Sequence, residues 1–174
     1  MAFTFDATVS GPASNSYVTV AEANDYFTAH LESSYWPTKD ADKQAALVMA
    51  TNRIDMESFG GSVTDGAQAL QWPRQFIMRR GTTDDTQYRD STTIPNEVKK
   101  ATFEQALHYL KMSAGEFTVD ENDLETLTKY KIGPLDIAIA PNMKADRLPT
   151  KVKNLLQATG PNAWNGDNPL TYVR

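Results

Sequence analysis

Asp40-Ala41-Asp42-Lys43-Gln44-Ala45-Ala46-Leu47-Val48-Met49-Ala50-Thr51-Asn52-Arg53-Ile54-Asp55-Met56-Glu57-Ser58 is the segment from which the architecture is most easily worked out. Leu47, Ala50 and Ile54 recur at helical spacing, so this stretch is predicted to form a helix packed on a core. A second set, Ala45, Met49, Asn52 and Met56, follows the same steps on roughly the opposite side. A helix apolar on two sides is expected to be buried on two sides, either centrally in the monomer, the leading reading, or against a neighbouring subunit.

Working outward from that helix, Asn15-Ser16-Tyr17-Val18-Thr19 precedes another one. Thr19 is the expected N-cap and Glu22, three residues on, closes a capping box, giving a helix over about Val20 to His30 with Ala23, Tyr26, Phe27 and Leu31 facing inward. Pro95 suits the first turn of a third helix, because its missing N–H is no loss there. That helix runs to about Ser113, stops at Ala114-Gly115, and turns Val98, Thr102, Phe103, Ala106, Leu107, Tyr109 and Leu110 inward. A short fourth helix is expected from Pro149 to Thr159, with Val152, Leu155 and Leu156 inward. The period changes to two around Lys129-Tyr130-Lys131-Ile132 and Leu135-Asp136-Ile137-Ala138-Ile139, on either side of Gly133-Pro134, and marks a β-hairpin over 128–140.

The expected fold class is therefore mainly α: a small bundle of three to four helices with a β-hairpin, a long extended loop and a flexible C-terminal tail. In domain terms, residues 1–161 form one helical domain. It carries an N-terminal arm (1–18), the long loop (60–93) with one short strand or turn, and the hairpin. Residues 162–174 form a tail. A chain of 174 residues fits one such domain.

Composition narrows the function classes. A content of 40% hydrophobic and 22% charged residues is that of an ordinary globular protein. The net charge of −5 argues against a surface built mainly to grip phosphates, though not against a local basic patch. Without cysteine there is no disulfide or thiolate chemistry, and His30 and His108 stand too far apart in sequence to suggest a zinc set. The acidic run Asp120-Glu121-Asn122-Asp123 continues with Leu124 and Glu125 where a calcium loop needs an oxygen ligand and glycine. No serine sits in a Gly-x-Ser-x-Gly elbow. No enzyme activity, cofactor, metal or membrane span is expected. The first residues carry no secretion signal, so the cytoplasm is the expected compartment during synthesis.

One segment has the composition of a nucleic-acid contact. Trp72, Arg74, Phe76, Arg79, Arg80, Tyr88 and Arg89 interleave aromatics with arginines, the residue types of single-strand stacking platforms. Its first part, Gln71-Trp72-Pro73-Arg74, reads more simply as a structural corner in which Trp72 plugs the core and Pro73 stiffens the exit. Arg79, Arg80, Tyr88 and Arg89 remain as the single-stranded-DNA candidates, with Asp84, Asp85 and Asp90 diluting the segment's basic charge. At the other end, Trp164, Leu170, Tyr172 and Val173 are anchor residues that either pack back on the domain or dock on a partner.

In this order the chain resembles the head–tail connector (adaptor, or head-completion) proteins of tailed bacteriophages. The likeness is carried by Asn15 to Thr19, Ala46-Leu47, Ala50 to Asp55, Leu70 to Arg74, Ile94-Pro95 with Glu97-Val98, Ile132 to Leu135, Leu148-Pro149 and Leu155-Leu156. Relatives also carry the label of a DnaT-like single-stranded-DNA-binding protein. The connector resemblance implies a subunit of a ring, commonly of twelve copies, in the neck of the virion. Its partners would be the portal protein, copies of itself, and a downstream neck or tail protein. The double-stranded genome would pass through without sequence-specific binding. It also implies that the tail, with Trp164, Leu170, Tyr172, Val173 and Arg174, reaches the portal, and it makes Ala45, Met49, Asn52 and Met56 a subunit interface. The insert between Gly81 and Thr93 departs from that pattern. Single-stranded-DNA binding is the alternative function.

Overall fold

A computed structural model describes residues 4–81, 87–115, 129–132, 135–138 and 148–166, the two hairpin strands by their backbone alone. The chain folds as a small, mainly α bundle. Among the described residues there are four helices, α1 (Val20–Thr28), α2 (Asp40–Asp55), α3 (Asn96–Ser113) and α4 (Thr150–Ala158). The strands come as two antiparallel pairs: β1 (Ser62–Val63) with β2 (Arg74–Gln75), and β3 (Lys129–Ile132) with β4 (Leu135–Ala138). The second pair is the expected hairpin, in register from Ile132 opposite Leu135 to Lys129 opposite Ala138.

Local chemistry places the helix starts. The Thr19 hydroxyl accepts the Glu22 N–H while the Glu22 carboxylate accepts the Thr19 N–H, the reciprocal capping box. α1 then ends earlier than the periodicity predicts. The chain turns at Ala29 and His30, which leaves Leu31 fully exposed instead of on the inward face. Pro95 is the N-cap of α3, and Gly115 leaves that helix at φ +82°, a conformation that costs glycine nothing.

The central helix is α3, not α2. From Val98 to Leu107, Ala101, Thr102, Phe103, Glu104, Gln105 and Ala106 are all buried, and α3 packs against both α2 and α4. α2 is buried on one side only, through Ala46, Leu47, Ala50, Thr51 and Ile54. Ala45, Met49, Asn52 and Met56 are exposed, Met49 at 55% and Met56 at 76%, so the two-sided burial expected within the monomer is corrected. The second stripe combines small and flexible apolar residues, and single residues of that kind occur commonly on protein surfaces.

The polar residues inside the bundle are held by neighbours distant in sequence. One oxygen of Glu104 receives the Tyr26 hydroxyl, the Lys151 ammonium at 2.6 Å and the His30 ring at 3.3 Å, tying α1 and α4 to α3. Burial, together with this carboxylate, pushes the Tyr26 phenol up. Tyr17 is buried with its hydroxyl on Asp55, which also accepts the Gln71 N–H at 2.8 Å. The N-terminal arm is strapped by Asn15, whose side chain donates to the Thr4 carbonyl and accepts the Asp6 N–H.

The first residues of the expected tail pack on the domain. Ala163 and Trp164 are buried, Trp164 bridges Phe59, and its indole N–H donates to Glu57 at 2.9 Å. An indole with both an apolar pocket and an acceptor on the domain has no reason to stay in water, so Trp164 is a core residue here. Leu170, Tyr172, Val173 and Arg174, like the acidic run at 120–123, lie outside the described residues.

Candidate nucleic-acid interface

The long connection between α2 and α3 contains two contrasting parts. The first is the corner. Trp72 is 2% exposed and meets Phe59 edge to face at 5.5 Å, Pro73 is buried behind a cis Trp72–Pro73 peptide, and Arg74 is buried beside them. The Arg74 guanidinium donates to the backbone carbonyls of Phe59, Gly60, Gly61 and Gln71 at 2.6–3.3 Å. Its charge is consumed in holding backbone, and it is unavailable to a ligand.

The second part is a ribbon. Arg79 N–H donates to the Gln87 carbonyl, Arg89 N–H donates to the Ile77 carbonyl, and Met78 bridges Tyr88 antiparallel. Successive residues of such a ribbon point to opposite faces. Arg89 turns toward α3 and forms a two-pronged pair with Glu97 at 2.9 and 3.1 Å. Tyr88 turns to the outer face and meets Phe76 edge to face at 5.8 Å.

Between the ribbon and the start of α3 lies an open cleft of about 700 Å³ onto which Arg79, Arg80 and Arg89 converge. Two carboxylates share it. Glu97 is occupied by Arg89, and Asp90 accepts the Thr92 N–H and the hydroxyls of Thr92 and Thr93. Those bonds, the Thr92 N–H foremost, lower the Asp90 pKa and keep it ionised. Among the described residues, three guanidiniums against two carboxylates give the cleft one excess positive charge. Arg79 and Arg80 are exposed, with no carboxylate partner among the described residues. The buried Nε of Arg89 has no acceptor there either.

Of the four residues singled out from sequence, the structure brings Arg79, Arg80 and Arg89 to one cleft and places Tyr88 across the ribbon from it. A family model described as "Putative DnaT-like ssDNA binding protein" matches residues 1–169. The chain belongs to this family. No curated protein and no solved structure matches the chain. In this DnaT-like member, the feature that sequence reasoning passed over is the conformation of Phe76. It is 56% exposed with φ +61°, and nothing in its residue type signals that backbone.

Among the described residues no group of three or more His, Asp or Glu side chains could hold a metal, and no helix is long and apolar enough to cross a membrane.

Proposed function

We propose that this chain binds single-stranded DNA through the ribbon and the cleft beneath it. The observation that carries the reading is the pairing of an open cleft with exposed Arg79 and Arg80, which have no carboxylate partner among the described residues, in a chain whose family description names that ligand. Guanidiniums without carboxylate partners attract phosphate oxygens and release counterions when they bind them. An overall charge of −5 then confines binding to this patch instead of spreading it over the surface. Fluorescence anisotropy with a labelled oligothymidylate tests this. Binding is expected to weaken with salt, and changing Arg79 and Arg80 together to Ala is expected to reduce the log–log salt slope by about 1.4, roughly 0.7 per lost single-strand phosphate contact. Absence of binding at low salt removes the proposal.

A second reading is favoured by a different observation, the exposed stripe Ala45, Met49, Asn52 and Met56 on α2. In the connector reading this stripe meets a neighbouring copy in a ring on the portal, and Leu170, Tyr172, Val173 and Arg174 supply the docking tail. A closed ring needs two different complementary faces, and one side of α2 supplies a candidate for one. Co-sedimentation with the cognate portal, using the full chain and one shortened after Gly166, tests it. No binding by either form removes this reading, and equal binding by both removes the tail from it.

A further inference from the structure

We propose that Phe76, held out from the ribbon by Asn162 and flanked by Tyr88, is the platform on which an unpaired nucleobase stacks. This rests on the single-strand reading above and goes further by assigning the base contact and the residue that positions it.

Phe76 combines two unfavourable features. Its phenyl ring is more exposed than not, and its backbone sits at φ +61°, a region that side-chain-bearing residues rarely adopt. The surroundings over-determine that conformation. On one side Gln75 is paired in β2; on the other Ile77 is fully buried. Between them Asn162 reaches from the segment after α4. Its amide donates to the Phe76 carbonyl at 2.9 Å, and its side-chain oxygen accepts the Met78 N–H at 2.9 Å. Gly160 lets that segment come so close, because a Cβ there would lie 2.3 Å from the Met78 carbonyl oxygen. One amide side chain thus fixes the backbone on both sides of Ile77 and turns the neighbouring phenyl outward. Strain that the surroundings hold in place at an exposed aromatic is the pattern of a recognition residue.

The occupant follows from the chemistry nearby. An edge-to-face pair leaves ring faces open, and both Phe76 and Tyr88 are exposed. Arg79 and Arg80 emerge from the same ribbon within a few residues. Open aromatic faces lie on the outer side of the ribbon, and Arg79 and Arg80 line the cleft on its other side. That arrangement suits a strand that crosses the ribbon with a base stacked outside and a phosphate on the cleft side. An apolar protein side chain would leave the arginines unused.

The test compares two probes of equal length, an oligothymidylate and an abasic oligonucleotide, binding to the full chain. Phe76→Ala is expected to weaken the base-bearing probe about 5- to 160-fold and to leave the abasic probe unchanged, the range of one lost base–aromatic stack. Phe76→Trp is expected to retain affinity and to report binding through quenched indole emission. Asn162→Ala is expected to produce a smaller loss, again confined to the base-bearing probe. Wild-type binding that is unchanged in Phe76→Ala overturns this inference while leaving the arginine cleft standing. Equal losses on both probes for Asn162→Ala overturn its positioning role. A wild type that binds neither probe overturns the single-strand reading itself, and the platform falls with it.

Discussion

The corner at Trp72–Arg74 and the ribbon from Phe76 to Arg89 are built from the same residue types, aromatics alternating with arginines, yet they end in opposite environments. At the corner every group faces inward. Trp72 fills a pocket against Phe59, and Arg74 spends its donors on four backbone carbonyls. On the ribbon Phe76 and Tyr88 remain exposed, and among the described residues Arg79 directs only its Nε to a carbonyl, that of Tyr88. Residue type therefore did not choose between structure and recognition. The choice was made by whether orphan carbonyls and an apolar pocket lay within reach. The turn after α2 supplies both at the corner, whereas the ribbon pairs its own backbone and keeps Phe76 and Tyr88 at its surface.

The sharpest way to break this contrast is at the corner. Trp72→Ala is expected to lower stability by about 3–5 kcal/mol, measured by urea denaturation, because it removes a buried indole and leaves a cavity. Should the loss be small and DNA binding suffer instead, the corner would belong with the ribbon. Arg74→Lys is expected to cost about 2–3 kcal/mol. A single ammonium cannot serve the carbonyls of Phe59, Gly60 and Gly61 that the planar guanidinium spans. A variant as stable as the wild type would show that water satisfies those carbonyls.

How much of this was legible beforehand depends on the sequence distance over which each feature is determined. The α1 capping box needs Thr19 and Glu22 three residues apart, the α3 start needs Pro95, and the hairpin needs only alternation, so all three could be read locally. The identity of the central helix could not. α3 buries Glu104 because Tyr26, His30 and Lys151 converge on it from α1, the turn after it and α4, and no window of sequence contains all four. Trp164 finds Glu57 at a separation of 107 residues, and Phe76 owes its outward turn to Asn162, 86 residues away. Three arginines could be named as candidates from composition. Their convergence on one cleft with Tyr88 on the other face depends on the pairing register of the ribbon, which Gly81 to Thr93 does not announce through any alternation.

A third change probes a surface site whose capping partner is local. Thr19→Ala removes the side-chain cap of α1 and is expected to cost about 1 kcal/mol. The accompanying pH dependence belongs to Glu22. Partial burial raises its pKa, but Lys99 at 2.6 Å together with the Thr19 N–H and hydroxyl outweigh that and leave it lowered. A lowered folded-state pKa means that Glu22 stabilises the fold above its ordinary value of 4.5 and that this contribution is lost as the pH falls through the folded value. Glu22→Gln is therefore expected to flatten the stability profile below about pH 4.5. An unchanged acid limb would assign that loss to other carboxylates.

The smallest expected stability effect carries the most weight for the comparison. Arg79→Ala and Arg80→Ala are each expected to change the urea midpoint by no more than about 0.5 kcal/mol in free energy, as for surface positions without buried partners. Arg74 and Arg79 lie five residues apart with the same side chain, so their difference in stability cost measures what the four carbonyls at the corner contribute. If Arg80→Ala proved as costly as Arg74→Lys, the cleft would be a structural joint between ribbon and α3, and its positive charge would be serving Asp90 and Glu97, with no role for a phosphate. If both ribbon substitutions are silent in stability and still abolish the salt-dependent part of DNA binding, the cleft's arginines are held in reserve for a ligand while the corner's are not.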